Sequence, residues 1–115
     1  MDHEQSQEAR FRSLNNLLRH ITFRQLQIFT AVCRLRSFTK AADALFLAQP
    51  TVSLQMKKLA EAVGLPLFEQ MGKELRITDA GQDLYAACRE LFATFENLET
   101  QIADRKGIRR GRLRL

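Results

Sequence analysis

The residues best suited to chemistry stand close together. Gln49, Thr51 and Ser53 carry an amide and two short hydroxyls within one stretch, and Lys57 and Lys58 follow beyond Leu54 and Gln55. A glutamine amide can pair in bidentate fashion with adenine, and serine or threonine suits several base edges. Lysines suit phosphate oxygens, which position a protein without choosing a sequence. Leu54 interrupts the polar run: it could lie against a thymine methyl or pack on a neighbouring element. Farther along, Lys73 and Arg76 add two more cations. Singly, such side chains are more often solvated than functional; their weight comes from arrangement.

Catalysis has no comparable set. There is no Gly-rich phosphate loop, no His-Glu-x-x-His and no nucleophile elbow, and His3 and His20 sit in a polar N-terminal segment. Cys33 and Cys88 lie 55 positions apart and match neither a zinc spacing nor a disulfide framework. They read as reduced and structural. No catalytic residue, metal ligand or cofactor is expected in this chain, and an enzyme is the least favoured class. The longest apolar run is the five residues Ala44 to Ala48, against roughly 20 needed to span a bilayer. With no hydrophobic leader in Met1 to Arg12, the expected location is the cytoplasm, away from membrane.

The elements that must position these residues are legible from caps and periodicity. Phe11, Leu14, Leu17, Leu18 and Ile21 share a helical face, so residues 1–21 read as an extension that can be helical. Thr22-Phe23-Arg24-Gln25 fits a capping box and opens a helix whose buried face holds Leu26, Phe29, Val32 and Cys33, ending near Leu35. Ser37 caps a short second helix in which Ala41, Ala42, Ala44 and Leu45 allow close approach of another helix. Gln49-Pro50 opens a third, since proline lacks only an N–H that the first turn leaves unpaired. Val52, Met56, Leu59 and Val63 then face inward, leaving Gln49, Thr51, Ser53, Leu54, Gln55, Lys57 and Lys58 outer or lateral. Gly64 and Pro66 stop this helix. Leu67–Gln70 and Leu75–Ile77 predict a hairpin turning at Met71-Gly72-Lys73-Glu74.

Thr78-Asp79 caps a last helix in which Leu84, Cys88, Leu91, Phe95, Leu98 and Ile102 recur at alternating spacings of four and three, a heptad seam. Three short helices, a hairpin and a long helix predict a mainly α, winged helix-turn-helix with a small two-stranded wing and a dimerisation linker helix. Its third helix enters a major groove while the hairpin touches the neighbouring backbone. The divisions are 1–21, 22–78, 79–106 and 107–115.

The runs Ser37-Phe38-Thr39-Lys40-Ala41-Ala42, Leu47-Ala48-Gln49-Pro50-Thr51-Val52-Ser53, Leu67-Phe68-Glu69 and Leu75-Arg76-Ile77-Thr78-Asp79-Ala80-Gly81 resemble the N-terminal domain of LysR-type transcriptional regulators over residues 22 to about 105. The resemblance implies double-stranded DNA as partner, with Thr39, Gln49, Pro50, Thr51 and Ser53 as contacts and Lys73 in the wing. It also implies a homodimer through the linker helix, with a tetramer open for the intact protein. Leu54 and Gln70 stand where arginine is usual. Phe23–Phe29 and Leu47–Gln55 look similar to regulators of carbon-fixation (RuBisCO) operons. Family members continue into a metabolite-binding domain, so a small-molecule inducer is expected for the full-length protein. Gly111-Arg112-Leu113-Arg114-Leu115 looks like that domain's first strand, cut short.

Two alternatives stand beside this reading. One is the DNA-binding half of a molybdate-responsive regulator, which would need an oxyanion-binding domain after residue 105. The other is a coiled-coil protein-interaction module for which the helix-turn-helix is scaffold. Net charge does not decide between them. The chain carries 18 Lys and Arg against 13 Asp and Glu, but residues 22–81 hold eight basic against five acidic side chains, and 105–115 hold six basic and none acidic. The tail's net charge of six positives thus exceeds the whole chain's net of +5, and placement of the cations matters more than their sum.

Overall fold

A computed structural model describes residues 7–10, 17 and 19–107. Of the expected N-terminal face, Phe11, Leu14 and Leu18 lie outside the described residues; residues 7–10, 17 and 19–20 are helical, and Leu17 is exposed. The strand expected at 111–115 also lies outside them.

Helix α1 (Phe23–Leu35) opens on the capping box. The Gln25 backbone N–H donates to Thr22 Oγ1 at 3.0 Å, and the Thr22 N–H donates to Gln25 Oε1 at 3.0 Å, so two orphan donors of the first turn are satisfied reciprocally. The helix ends at Arg36 in the left-handed region, φ 54°, and Ser37 begins the next element at once. Ser37 Oγ accepts from the Lys40 N–H at 3.0 Å, capping α2 (Phe38–Leu45). Helix α2 ends the same way, at Phe46 with φ 58°. Helix α3 (Gln49–Val63) has Pro50 in its first turn and closes on Gly64, φ 89°, where a residue with a Cβ would be strained.

The three helices pack pairwise on one another. Ile28, Phe29 and Val32 from α1, Ala41 and Ala42 from α2, and Val52, Met56 and Leu59 from α3 are all buried. Alanine at 41 and 42 brings the α2 backbone close to its neighbours. Ala44, expected among the small packing residues, is exposed; it falls outside the stripe that Ala41, Ala42 and Leu45 share. Helix α1 buries more than its predicted face, adding Gln25, Ile28 and Ala31, because it touches both α2 and α3.

Strands β1 (Phe68–Met71) and β2 (Glu74–Ile77) pair antiparallel, Phe68 against Ile77, Glu69 against Arg76, Gln70 against Leu75 and Met71 against Glu74. Strand β1 is shifted one residue toward the turn from the predicted 67–70, and β2 is the predicted 75–77 extended by one residue toward it, because Met71 and Glu74 still pair and leave Gly72-Lys73 as a two-residue turn. Gly72 supplies the positive φ, 63°, that such turns demand of their first residue. The hairpin is seated by Phe68, whose ring lies 5.3 Å from that of Phe29 and 5.6 Å, edge-on, from that of Phe38.

Thr78 closes the base of the hairpin. Its N–H donates to the Leu67 carbonyl at 3.0 Å, its hydroxyl to the Pro66 carbonyl at 2.7 Å, and its Oγ1 accepts from the Gly81 N–H at 3.0 Å. Helix α4 (Asp79–Arg105, 27 residues) starts there and runs about 40 Å at 1.5 Å per residue. By contacts the chain divides into two compact units, residues 1–85 and 86–115. In the second, Leu91 is half-buried while Phe95, Leu98 and Ile102 are 45, 43 and 42% exposed. Cys33 and Cys88 are both buried.

Gly81 is buried, and a Cβ there would run into the Leu67 carbonyl and come within 2.7 Å of an Ile77 methyl. Gly81→Ala is therefore expected to destabilise the protein by about 1–3 kcal/mol through overpacking, read as a lower urea midpoint; an unchanged midpoint would contradict the close seating of α4 on the hairpin base.

Candidate nucleic-acid interface

Helix α3 buries Val52, Met56 and Leu59 along one stripe, which fixes what the opposite side presents. At 100° per residue, Pro50, Leu54 and Lys57 fall opposite the buried stripe, with Lys58 beside them. Gln49 and Ser53 form one flank, Thr51 and Gln55 the other. Gln49, Pro50, Thr51, Leu54, Lys57 and Lys58 are exposed, and Ser53 and Gln55 are half-buried. The N-terminus of α3 has no side-chain cap, so the positive end of its backbone dipole lies open on this surface.

The two flanks are organised differently. Gln49 Nε2 donates to Ser53 Oγ at 2.9 Å, one helical turn apart. This holds the glutamine amide in one orientation while leaving Oε1 and one amide hydrogen available, the acceptor and donor that an adenine edge requires. On the other flank the Gln55 Oε1 accepts from Gln25 Nε2 at 3.1 Å. Gln25 is only 5% exposed, and its own Oε1 is occupied by the Thr22 N–H. Gln55 is thus tied sideways to α1, not aimed outward with Leu54.

The Gln49 flank opens into a cleft of about 540 Å³ bounded by the α1–α2 turn and the hairpin, with Arg36, Thr39, Gln49, Gln70, Lys73 and Leu75 among its lining residues. Three sequence-predicted residues, Thr39, Gln49 and Lys73, come together here from three separate elements. Arg36 was not anticipated; its only signal is the Arg-Ser pair ahead of a short helix, and its left-handed backbone at the end of α1 places it at the cleft. Gln70, where arginine is usual, donates from Nε2 to the Gly72 carbonyl at 2.9 Å and so stiffens the turn. Arg76 is not in this cleft. It alternates with Leu75 and Ile77 and therefore sits on the other face of the hairpin, exposed and cross-strand from Glu69. Lys58 lines a separate cleft with His20, Gln25 and Glu61, so Lys57 is the lysine nearer Gln49 and Ser53. Thr51 is exposed in the first turn, on the Gln55 flank.

Among the described residues, no group of three His, Cys, Asp or Glu could hold a metal ion, and no helix is long and apolar enough to cross a membrane.

Three packed helices, a hairpin seated beside the third and an outward polar face on that third helix define a winged helix-turn-helix protein. Residues 23–82 match the family of bacterial regulatory helix-turn-helix proteins, lysR family, and the chain belongs to that family. It is 45% identical over 98 residues to the HTH-type transcriptional activator CmpR of Synechocystis sp., a match covering 85% of this chain and 32% of the relative. It is 44% identical to a RuBisCO operon transcriptional regulator of Acidithiobacillus ferrooxidans, with the same coverage of both. The likeness to carbon-fixation regulators noted in Phe23–Phe29 and Leu47–Gln55 accords with that relative. These relatives are transcription regulators, not enzymes, and the chain spans about a third of their length. Among solved structures, the complex of the BenM DNA-binding domain with catB site 1 DNA superposes with a TM-score of 0.70 at 32% identity, covering 73% of this chain and 94% of that one.

Gln25→Ala removes the acceptor of the capping box and the donor to Gln55 together. It is expected to cost about 1–2 kcal/mol, measured by thermal unfolding, and to release the Gln55 amide, measured by its side-chain NMR shifts; unmoved Gln55 resonances would show that the bond is not made in solution.

Proposed function

We propose that this chain is a sequence-specific module that binds double-stranded DNA as a dimer, with α3 in the major groove and the Gly72-Lys73 turn against the adjoining backbone. The observation that carries the reading is the convergence of Gln49, Thr39, Lys73 and Arg36 on one open cleft. Gln49 and Ser53 act as a locked pair on base edges; Thr51 contributes from the opposite flank. Lys57, Lys58, Lys73 and Arg36 serve phosphates. The solved complex of the similar BenM domain with DNA supports DNA as the partner.

The 45 to 42% exposure of Phe95, Leu98 and Ile102 along one seam of α4 supports a second copy as the partner of this helix, with the half-buried Leu84 and Leu91 in the same heptad register; Cys88, expected in that seam, is 1% exposed in the single chain and has no surface left for a partner. Two recognition helices held in fixed relation meet major grooves roughly 34 Å apart on one DNA face, so the operator is an interrupted palindrome. The longer protein to which such a domain belongs acts as a cytoplasmic regulator responding to a small-molecule inducer, and its dimers can pair into a tetramer.

Several outcomes check the proposal. Binding to a duplex selected from a random pool is expected to weaken steeply with salt, by about 0.9 in log K per log salt for each phosphate neutralised; binding insensitive to salt would favour a hydrophobic interaction module instead. Lys73→Ala is expected to reduce that slope by about one. Gln49→Ala or Ser53→Ala is expected to relax preference at one or two base pairs by about 1–3 kcal/mol; equal weakening on every sequence would contradict base readout. Leu98→Asp puts a charge in the seam, and sedimentation is expected to show monomers.

A further inference from the structure

We infer that Leu54 reads the 5-methyl group of a pyrimidine in the major groove; this rests on the DNA-binding reading above. Leu54 lies opposite the buried stripe of α3 and is 50% exposed. It does not line the cleft that α3 shares with the hairpin, where Gln49 does, so packing on the hairpin does not account for an apolar side chain at this place. Pro50 precedes it by one turn, and Lys57 and Lys58 follow at three and four residues. The leucine is therefore followed along the same surface by two lysines suited to phosphates, and half of it stays uncovered among the described residues.

The groove offers one sizeable apolar feature. Apart from the small C5–H of cytosine, the groups that a major-groove edge presents are hydrogen-bond donors or acceptors, and the thymine 5-methyl is the one apolar group large enough to pack on. A leucine pressed on a polar edge strips water from it and returns no hydrogen bond, which is costly. Pressed on a methyl, it buries apolar surface. The same side chain thus attracts a methylated pyrimidine and rejects the other bases, discrimination by both signs. Thymine and 5-methylcytosine carry the same group at the same place, so Leu54 accepts either chemistry, and an arginine at this position would have neither property.

The test uses the best duplex selected from a random pool and replaces each thymine singly by deoxyuridine, which removes only the methyl. For the unmodified protein, one thymine in each half-site is expected to show weakening of about fourfold, the value of one buried methyl-sized group. Leu54→Ala is expected to abolish that difference at that thymine alone, and Leu54→Met to keep it. At the same position, a C·G pair is expected to bind less well than its 5-methylcytosine counterpart, which separates the methyl from the pairing edge. Circular dichroism and the retained salt slope establish that the exposed-site variants fold and bind. Tolerance of deoxyuridine at every thymine, or a sensitivity that survives in Leu54→Ala, overturns the inference while DNA binding stands. Absence of binding to any duplex at low salt overturns the DNA reading itself, and this inference with it.

Discussion

The Phe68 ring, set between Phe29 and Phe38, holds the two halves of the recognition surface in register. The core centres on the three helices; the cleft needs the hairpin as well, and the hairpin is four residues a strand with a single partner strand. An isolated two-stranded hairpin is marginal in water. Ring contacts of this kind contribute about 0.5–1.5 kcal/mol beyond area burial, and Thr78 adds three hydrogen bonds at the open end of the strands. Lys73 stands opposite Gln49 only because both anchors hold.

Helix α3 distributes its chemistry by angle. Its inner stripe is plain core, one flank is a preset hydrogen-bonding pair, the other ties Gln55 to α1 through Gln25 while leaving Thr51 exposed, and the outermost line is apolar and cationic. Two glutamines of identical chemistry, Gln49 and Gln55, end in different roles because they differ by six residues and so by a large rotation about the axis. Residue type alone does not separate them; the bond from a buried glutamine 30 residues away does.

The features legible in the sequence were local. Thr22 and Gln25 are three apart and satisfy each other; Gly64 with Pro66 ends α3; Ser37 and Thr78 cap the helices that begin just after them. Such signals depend on neighbours the chain itself supplies. The features that escaped depended on how whole elements are turned and placed. Gln25 reads as a capping residue and gives no sign of also reaching Gln55. Arg36 is not singled out by the sequence, yet the left-handed backbone at the end of α1 brings it to the cleft. Arg76 reads as a wing cation, whereas strand alternation places it on the other face. Ala44 looks like a packing residue because small side chains carry no directional signal of their own. Of the site, Thr39, Gln49 and Lys73 are identifiable as residues, but their convergence on one concavity depends on tertiary placement.

The joints between α1, α2 and α3 contain only two and three residues, Arg36-Ser37 and Phe46-Leu47-Ala48, and each includes a non-glycine residue held at positive φ. Such conformations persist only when the surroundings over-determine them. There is accordingly no slack segment within the three-helix unit, and on the proposed DNA reading little of its ordering entropy is left to lose on binding. On that reading, association through this unit carries the heat-capacity change of the surface it covers, without the larger contribution that folding on contact brings.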